Sequence, residues 1–344
     1  MKVLLALVAM LSGCTSVCPG AWSELPPLPD KEGFAGSFAG VSDGVLLVAG
    51  GANFPDKKPW EGGTKAWYGT IFALEKPDGE WKPAGRLPRA LGYGVSVTYR
   101  GGVVCVGGSD GTRHYADVFR LEWKAGRVVT TELPPLPQPV ANACGALLGD
   151  RLYIIGGLSQ PDATQTLKTA YQIDLAEAKP SWREMEGWPG SGRMLAVAAG
   201  FDGALWVMGG VDLGVGAGGG VQRRYLNDAF RFRPGEGWRR IADLPYPVAA
   251  TPSPAAVDRL GLFVLGGDDG SQVGAAPGRH RGFNRSVLRY DAGADRWSRC
   301  GEMPVAQVTT PCVDWQGSWV VPGGEIRPGV RSPRVWRLTP VGRE

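Results

Sequence analysis

The sequence predicts an all-β chain folded as a six-bladed β-propeller whose ring is closed by joining its two ends. Three observations predict it: a Gly-Gly pair ends a short apolar strand six times, an aromatic-led strand follows each pair, and the last repeat runs out of chain before its final strand. Composition agrees. The 344 residues include 53 Gly, 28 Pro and 13 Trp; Gly and Pro supply turn geometry, and Trp fills the space between packed sheets. The formal net charge of +4, with no Lys/Arg block, offers little electrostatic support for nucleic-acid binding.

The Gly-Gly pairs close LLVAGG at Gly51, VVCVGG at Gly108, LYIIGG at Gly157, LWVMGG at Gly210, LFVLGG at Gly267 and WVVPGG at Gly324, at spacings of 57, 49, 53, 57 and 57 residues. Phe72, Phe119, Tyr171, Phe230, Tyr290 and Trp336 open the strands that follow. A fourth strand carries Trp81, Trp182, Trp238 or Trp297; the second repeat offers Val128–Leu133 instead. Gly-Gly, aromatic and Trp, in units of about 50 residues and four strands, resemble kelch repeats. One such unit cannot bury both faces alone, so the array must close on itself.

The sixth repeat needs a Trp strand beyond Glu344. Residues Ala21–Pro29, AWSELPPLP, supply it: they resemble Glu132–Pro137 and Ile241–Pro245, which end other repeats. The propeller is therefore expected over residues 21–344, with the N-terminal strand completing the last blade and leaving no open edge.

Ahead of it, Lys2 and the apolar run Val3–Leu11 read as a signal peptide over residues 1–13, too short to span a bilayer as a mature helix. Leu11-Ser12-Gly13-Cys14 resembles a bacterial lipobox, which implies lipidation of Cys14 and a tether over residues 14–20. Thr15, where inner-membrane retention would place Asp, points to the outer membrane. The expected location is the periplasm, with membrane attachment only through that lipid. The remaining cysteines (Cys18, Cys105, Cys144, Cys300 and Cys312) match no metal spacing, and Cys105 and Cys144 sit in apolar strands as buried thiols.

In such a blade the innermost strand comes first and the Gly-Gly strand runs back beside it. Residues after each Gly-Gly thus emerge on one face, which gathers Asn53, Asp110, Asp212, Asp268, Asp269 and Glu325 with the insertions at 52–68, 211–226 and 268–285. The opposite face, made of short turns such as Ser42-Asp43-Gly44, is not expected to hold a pocket. Gly214–Gly220 lacks a following Lys-Ser/Thr and a helix start, so it reads as part of an insertion and not as a phosphate loop. His114 and His280 are the only histidines and lie far apart in sequence, which leaves no metal set and no Ser-His arrangement. Chemistry here would run on carboxylates, Arg, Tyr or Asn, with no cofactor.

Gly323-Gly324-Glu325-Ile326-Arg327-Pro328-Gly329-Val330-Arg331 resembles the Gly-Glu-x-Lys-Pro-Gly-x-Arg motif of bacterial N-acetylneuraminate epimerases, the sialic acid mutarotases, with Arg327 where Lys is usual. Gly33–Phe54 is similar to a second family segment; Tyr93–Ser96, Gly192-Arg193 and Leu226–Asp228 are lesser matches. In commoner members the Phe-Ala-Gly blade follows the Gly-Glu blade. Here the order is reversed, so the resemblance is to a circularly permuted branch. It implies a six-bladed periplasmic propeller that interconverts the α- and β-anomers of N-acetylneuraminate by general acid/base ring opening and reclosure, with Glu325 as proton acceptor and Arg331 as the catalytic-site Arg, whose guanidinium suits the substrate carboxylate. Arg193, Asn53 and Asn227 are the expected further contacts to the sugar. The alternative is a non-catalytic propeller that binds a glycan or protein at the cell surface.

Overall fold

The computed structural model describes residues 20–216, 218–259 and 261–340. The proposed signal segment, Cys14 and Cys18 lie outside the described residues. The chain forms six four-stranded antiparallel sheets. Blade 1 comprises Phe38–Ser42, Val45–Ala49, Thr70–Leu74 and Lys82–Arg86 from the axis outward. Blade 2 runs from Val95–Tyr99 to Arg127–Leu133, blade 3 from Cys144–Leu148 to Arg183–Met185, and blade 4 from Val197–Phe201 to Gly237–Ile241. Blade 5 runs from Ala256–Asp258 to Arg296–Glu302.

Blade 6 is the split one. Val313–Trp315, Ser318–Pro322 and Val335–Pro340 are completed by Gly20–Leu25 from the other end of the chain. In its register Trp22 faces Leu338, Glu24 faces Trp336 and Leu25 faces Val335. Two side-chain bonds add to the ladder, Arg334 Nε to Glu24 Oε1 at 3.0 Å and Arg337 Nε to Ser23 Oγ at 3.1 Å. Beyond the strand, Leu28 N–H donates to Pro333 O at 2.8 Å and Gly324 N–H donates to Phe34 O at 2.7 Å. The closing segment is thus tied to blade 6 on both sides of Glu325–Arg331.

Each junction between neighbouring blades holds an apolar cluster. Phe38, Leu47 and Ile71 of blade 1 meet Val103, Cys105 and Phe119 of blade 2. Leu25 and Leu28 join Trp315 and Val335 of blade 6 and Leu46 and Trp81 of blade 1, while Trp22 packs on the cluster between blades 5 and 6. The repeat tryptophans do a second job. Trp81 Nε1 donates to Pro26 O, Trp182 to Pro134 O, Trp238 to Glu186 O and Trp297 to Ala242 O, at 2.8–2.9 Å, each reaching the end of the preceding blade. A buried indole N–H needs such a partner.

The Gly-Gly pairs are inter-blade joints. Gly50 and Gly51 have φ of 66° and 95°, where a side chain is strained. A Cβ on Gly50 would lie 2.3 Å from Leu91 O, the carbonyl to which Gly51 N–H donates at 2.9 Å. The pair therefore lets one blade's backbone touch the next. On the opposite face Asp43 and Gly44, at φ 48° and 78°, make the two-residue hairpin turn that the sequence announced.

Candidate active site

The entry to each innermost strand pairs with the residue after the Gly-Gly, as in Ala35 with Ala52 and Val308 with Glu325. The next residue in every blade then turns left-handed: Gly36, Tyr93, Asn142, Leu195, Ala250 and Thr309 have φ between 55° and 72°. This aims each amide at the neighbouring blade. Tyr93 N–H donates to Gly36 O, Asn142 to Tyr93, Leu195 to Asn142, Ala250 to Leu195, Thr309 to Ala250, and Gly36 back to Thr309, all at 2.6–2.8 Å. Six backbone hydrogen bonds thus close a ring around the axis at the floor of the mouth. Five of its members are not Gly, and strain of about 1–3 kcal/mol each at such positions is typical of functional sites. Past the ring the channel continues by Ala39, Thr98, Ala146, Gly200, Ala256 and Trp319. That corrects the expectation of no pocket at the opposite end: Ala39, Ala146, Gly200 and Ala256 are too small to fill the axis there.

On the mouth side, Glu325–Arg327 and Val330–Arg331 form a hairpin in which Glu325 directly faces Arg331. Gly329 turns it at φ 78°, and a Cβ there would lie 2.6 Å from Pro59 Cγ, in the blade 1 insertion that folds over the hairpin. Glu325 Oε1 accepts from Arg331 Nη1 at 2.8 Å and from Gly329 N–H at 2.5 Å. No described donor reaches Oε2. The pair is sheltered, with side chains 17% and 5% exposed for Glu325 and Arg331. Arg331 Cζ lies 5.0 Å from the Phe54 ring centroid, and its Nη2 is 3.5 Å from Tyr93 Oη. Lys65 Nζ sits 5.0 Å from the Tyr93 centroid, 5.3 Å from Trp67 and 5.9 Å from Phe54. Gly36 accommodates the Tyr93 ring, since a Cβ there would come within 2.7 Å of it.

Residues 18–130 match the family model of N-acetylneuraminate epimerase. The match takes in the closing strand and blades 1 and 2, hence Phe54, Lys65 and Tyr93, and stops short of Glu325. Curated proteins named N-acetylneuraminate epimerase are similar over segments: 38% identity over 143 residues with that of Yersinia enterocolitica (36% of this chain, 35% of the relative), and 36% over 126 residues with that of Haemophilus influenzae (32% and 33%). The Salmonella enteritidis protein of that name is 43% identical over 100 residues, 26% of each chain. The chain spans about a third or less of the length of these relatives. A solved structure titled "Structure of YjhT" superposes with a TM-score of 0.63 at 17% identity, over 90% of this chain and 95% of the other. The six-bladed propeller is thus a fold shared with that protein.

The structure does not bring Asn53, Arg193 and Asn227 to the pair. Asn53 is fully buried; its amide donates to Asp30 Oδ1 and Gly33 O, both at 3.0 Å, and Tyr68 Oη donates to its Oδ1 at 2.7 Å. Its side chain turns down between insertion and closing segment, so it serves the clasp. Arg193 is likewise 0% exposed. Its Nη1 and Nη2 meet Asp228 Oδ1 and Oδ2 at 3.0 and 3.1 Å, Nη1 also reaches Gly209 O, and the guanidinium lies between Trp188 and Phe230. A charge so buried must be paired, and its partner is Asp228 rather than a sugar. Arg193→Met is therefore expected to cost about 3–5 kcal/mol in denaturant unfolding by stranding Asp228, while leaving the KM for any sugar at the mouth unchanged. Asn227 caps locally, with Nδ2 3.2 Å from Leu244 O.

The other mouth carboxylates brace loops. Asp212 takes Arg224 at 2.7 Å and Thr166 at 2.8 Å, Asp268 takes Tyr225 Oη at 2.7 Å, and Asp269 takes Ser271 N–H at 2.9 Å. Burial pushes the Asp110 carboxyl up, but hydrogen bonds from Tyr115, Thr112 and Arg113 outweigh it and hold it well below the usual range. Sequence reasoning did not single out Lys65 or Trp67. Neither carries a motif, and only the folded insertion places them beside Tyr93.

Proposed function

We propose that the chain interconverts the α- and β-anomers of N-acetylneuraminate, with Glu325 as general base and acid. The observation that carries this is the Glu325–Arg331 pair, sheltered on the mouth with one carboxylate oxygen that no donor among the described residues reaches. Oε2 takes the proton of the anomeric hydroxyl as the bond from that carbon to the ring oxygen breaks. The same proton passes to the ring oxygen and leaves an open-chain ketone. The ketone turns, the hydroxyl recloses on its other face, and the proton returns by the reverse path. No oxidant or cofactor enters the balance. The segment-length matches fit a permuted blade order, because a colinear alignment breaks where the order reverses.

Proton NMR of N-acetylneuraminate freshly released by a sialidase tests it. Purified protein is expected to speed α-to-β conversion well above the buffer rate. Saturable glycan binding without any change in anomer exchange would overturn it in favour of a binding module. We extend the proposal to export: a leader over residues 1–13 and a lipid on Cys14 would hold the protein at the periplasmic face of the outer membrane. Radiolabelled palmitate should enter the wild type and not Cys14→Ala.

A further inference from the structure

We propose that Lys65, not Arg331, receives the carboxylate of the substrate. The inference rests on the function proposed above and deepens it. On the anomeric carbon of this sugar acid the carboxylate and the reacting hydroxyl are neighbours. When Glu325 acts on the hydroxyl, two carboxylates therefore approach each other, and their like charges repel. One guanidinium shared between them leaves the site one charge short. Arg331 is also already in use: Nη1 serves Glu325, Nη2 turns to Tyr93, and its side chain is only 5% exposed. Bidentate capture of a second carboxylate needs an open fork edge, and the Nε on the remaining edge of Arg331, although without a partner, is buried.

Lys65 supplies the second positive charge. It stands on the same two rings as Arg331: Phe54 lies 5.9 Å from Lys65 Nζ and 5.0 Å from Arg331 Cζ, and Tyr93 presents its face to Lys65 and its hydroxyl to Arg331. Among the described residues it makes no ion pair, and its recorded contacts are the faces of Phe54, Trp67 and Tyr93. Ring faces orient an ammonium without neutralising it, so the charge remains available to a ligand. Arg327 stacks on none of these rings, although it belongs to the same hairpin as Glu325.

The test compares the β-methyl glycoside of N-acetylneuraminate, which cannot change anomer, with its methyl ester, using calorimetric titration of the full mature protein. The wild type is expected to bind the acid at least about tenfold more tightly than the ester, the scale of one charge-assisted contact. Lys65→Met should bring that ratio near one and raise KM about tenfold with kcat changed much less, whereas Lys65→Arg should preserve the ratio. An undiminished acid preference in a folded Lys65→Met protein overturns the inference. So does a wild type that accelerates mutarotation yet binds acid and ester alike, in which case the proposed function still stands. A wild type that neither binds the glycoside nor accelerates exchange removes both.

Discussion

Glu325→Gln is expected to lower the catalysed anomer exchange by about 10²–10⁴-fold, the usual contribution of a positioned general base. The substitution keeps an oxygen where Oε1 sits, so Arg331 Nη1 and Gly329 N–H retain an acceptor. What it removes is the proton acceptor and the charge opposite Arg331. Leaving that guanidinium uncompensated should cost about 1–3 kcal/mol of stability, against a typical total of about 5–15 kcal/mol. Most of the protein then stays folded, and any rate loss beyond tenfold cannot be ascribed to unfolding. Exchange-rate NMR beside a thermal melt separates the two effects. Wild-type rates in a folded Glu325→Gln protein would exclude the assigned base.

Opening the clasp should have the largest effect on stability. Leu25 and Leu28 are 4% and 3% exposed, and they fill the junction where blade 6 meets blade 1. Each Leu→Ala change in such a core costs about 2–5 kcal/mol. The double variant should therefore lose most of the stability of an ordinary domain and melt far below the wild type. Its effect should also reach the site before global unfolding, because the backbone bonds Leu28 N–Pro333 O and Gly324 N–Phe34 O bracket the Glu325–Arg331 hairpin. Activity is accordingly expected to fall at temperatures where far-ultraviolet circular dichroism still reports a folded sheet. A double variant with an unchanged melting temperature would mean that the ring does not depend on the N-terminal strand.

The repeats were legible because each has a local physical cause. Gly50-Gly51 and its five counterparts must be small where one backbone meets the next, and Trp81, Trp182, Trp238 and Trp297 must reach a neighbour's carbonyl. The same logic located the missing sixth strand at Trp22. Glu325 and Arg331 were singled out through the resemblance of Gly323–Arg331 to a family motif; that the Pro-Gly turn sets them opposite each other in one hairpin came from the fold. The long-range contacts were not legible. Arg193 lies next to the correct strand, but whether an Arg there points to solvent or to Asp228, 35 residues away, is decided by packing against Trp188 and Phe230. Asn53 failed for the same reason: strand alternation alone did not say that Asp30 and Tyr68 would enclose it.

The sequence by itself therefore determined the split sixth blade, whose closing segment, read as Ala21–Pro29, forms its strand over Gly20–Leu25, and it placed Glu325 and Arg331 on that blade. Tertiary structure alone decided two things. One is the ring of left-handed residues from Gly36 to Thr309, held in place by hydrogen bonds between blades although four of the six (Tyr93, Leu195, Ala250 and Thr309) have little local preference for that conformation. The other is the arrival of Lys65 beside Tyr93 and Phe54. It depends on how an insertion folds over a hairpin some 260 residues away in sequence, a distance across which residue type and spacing carry no instruction.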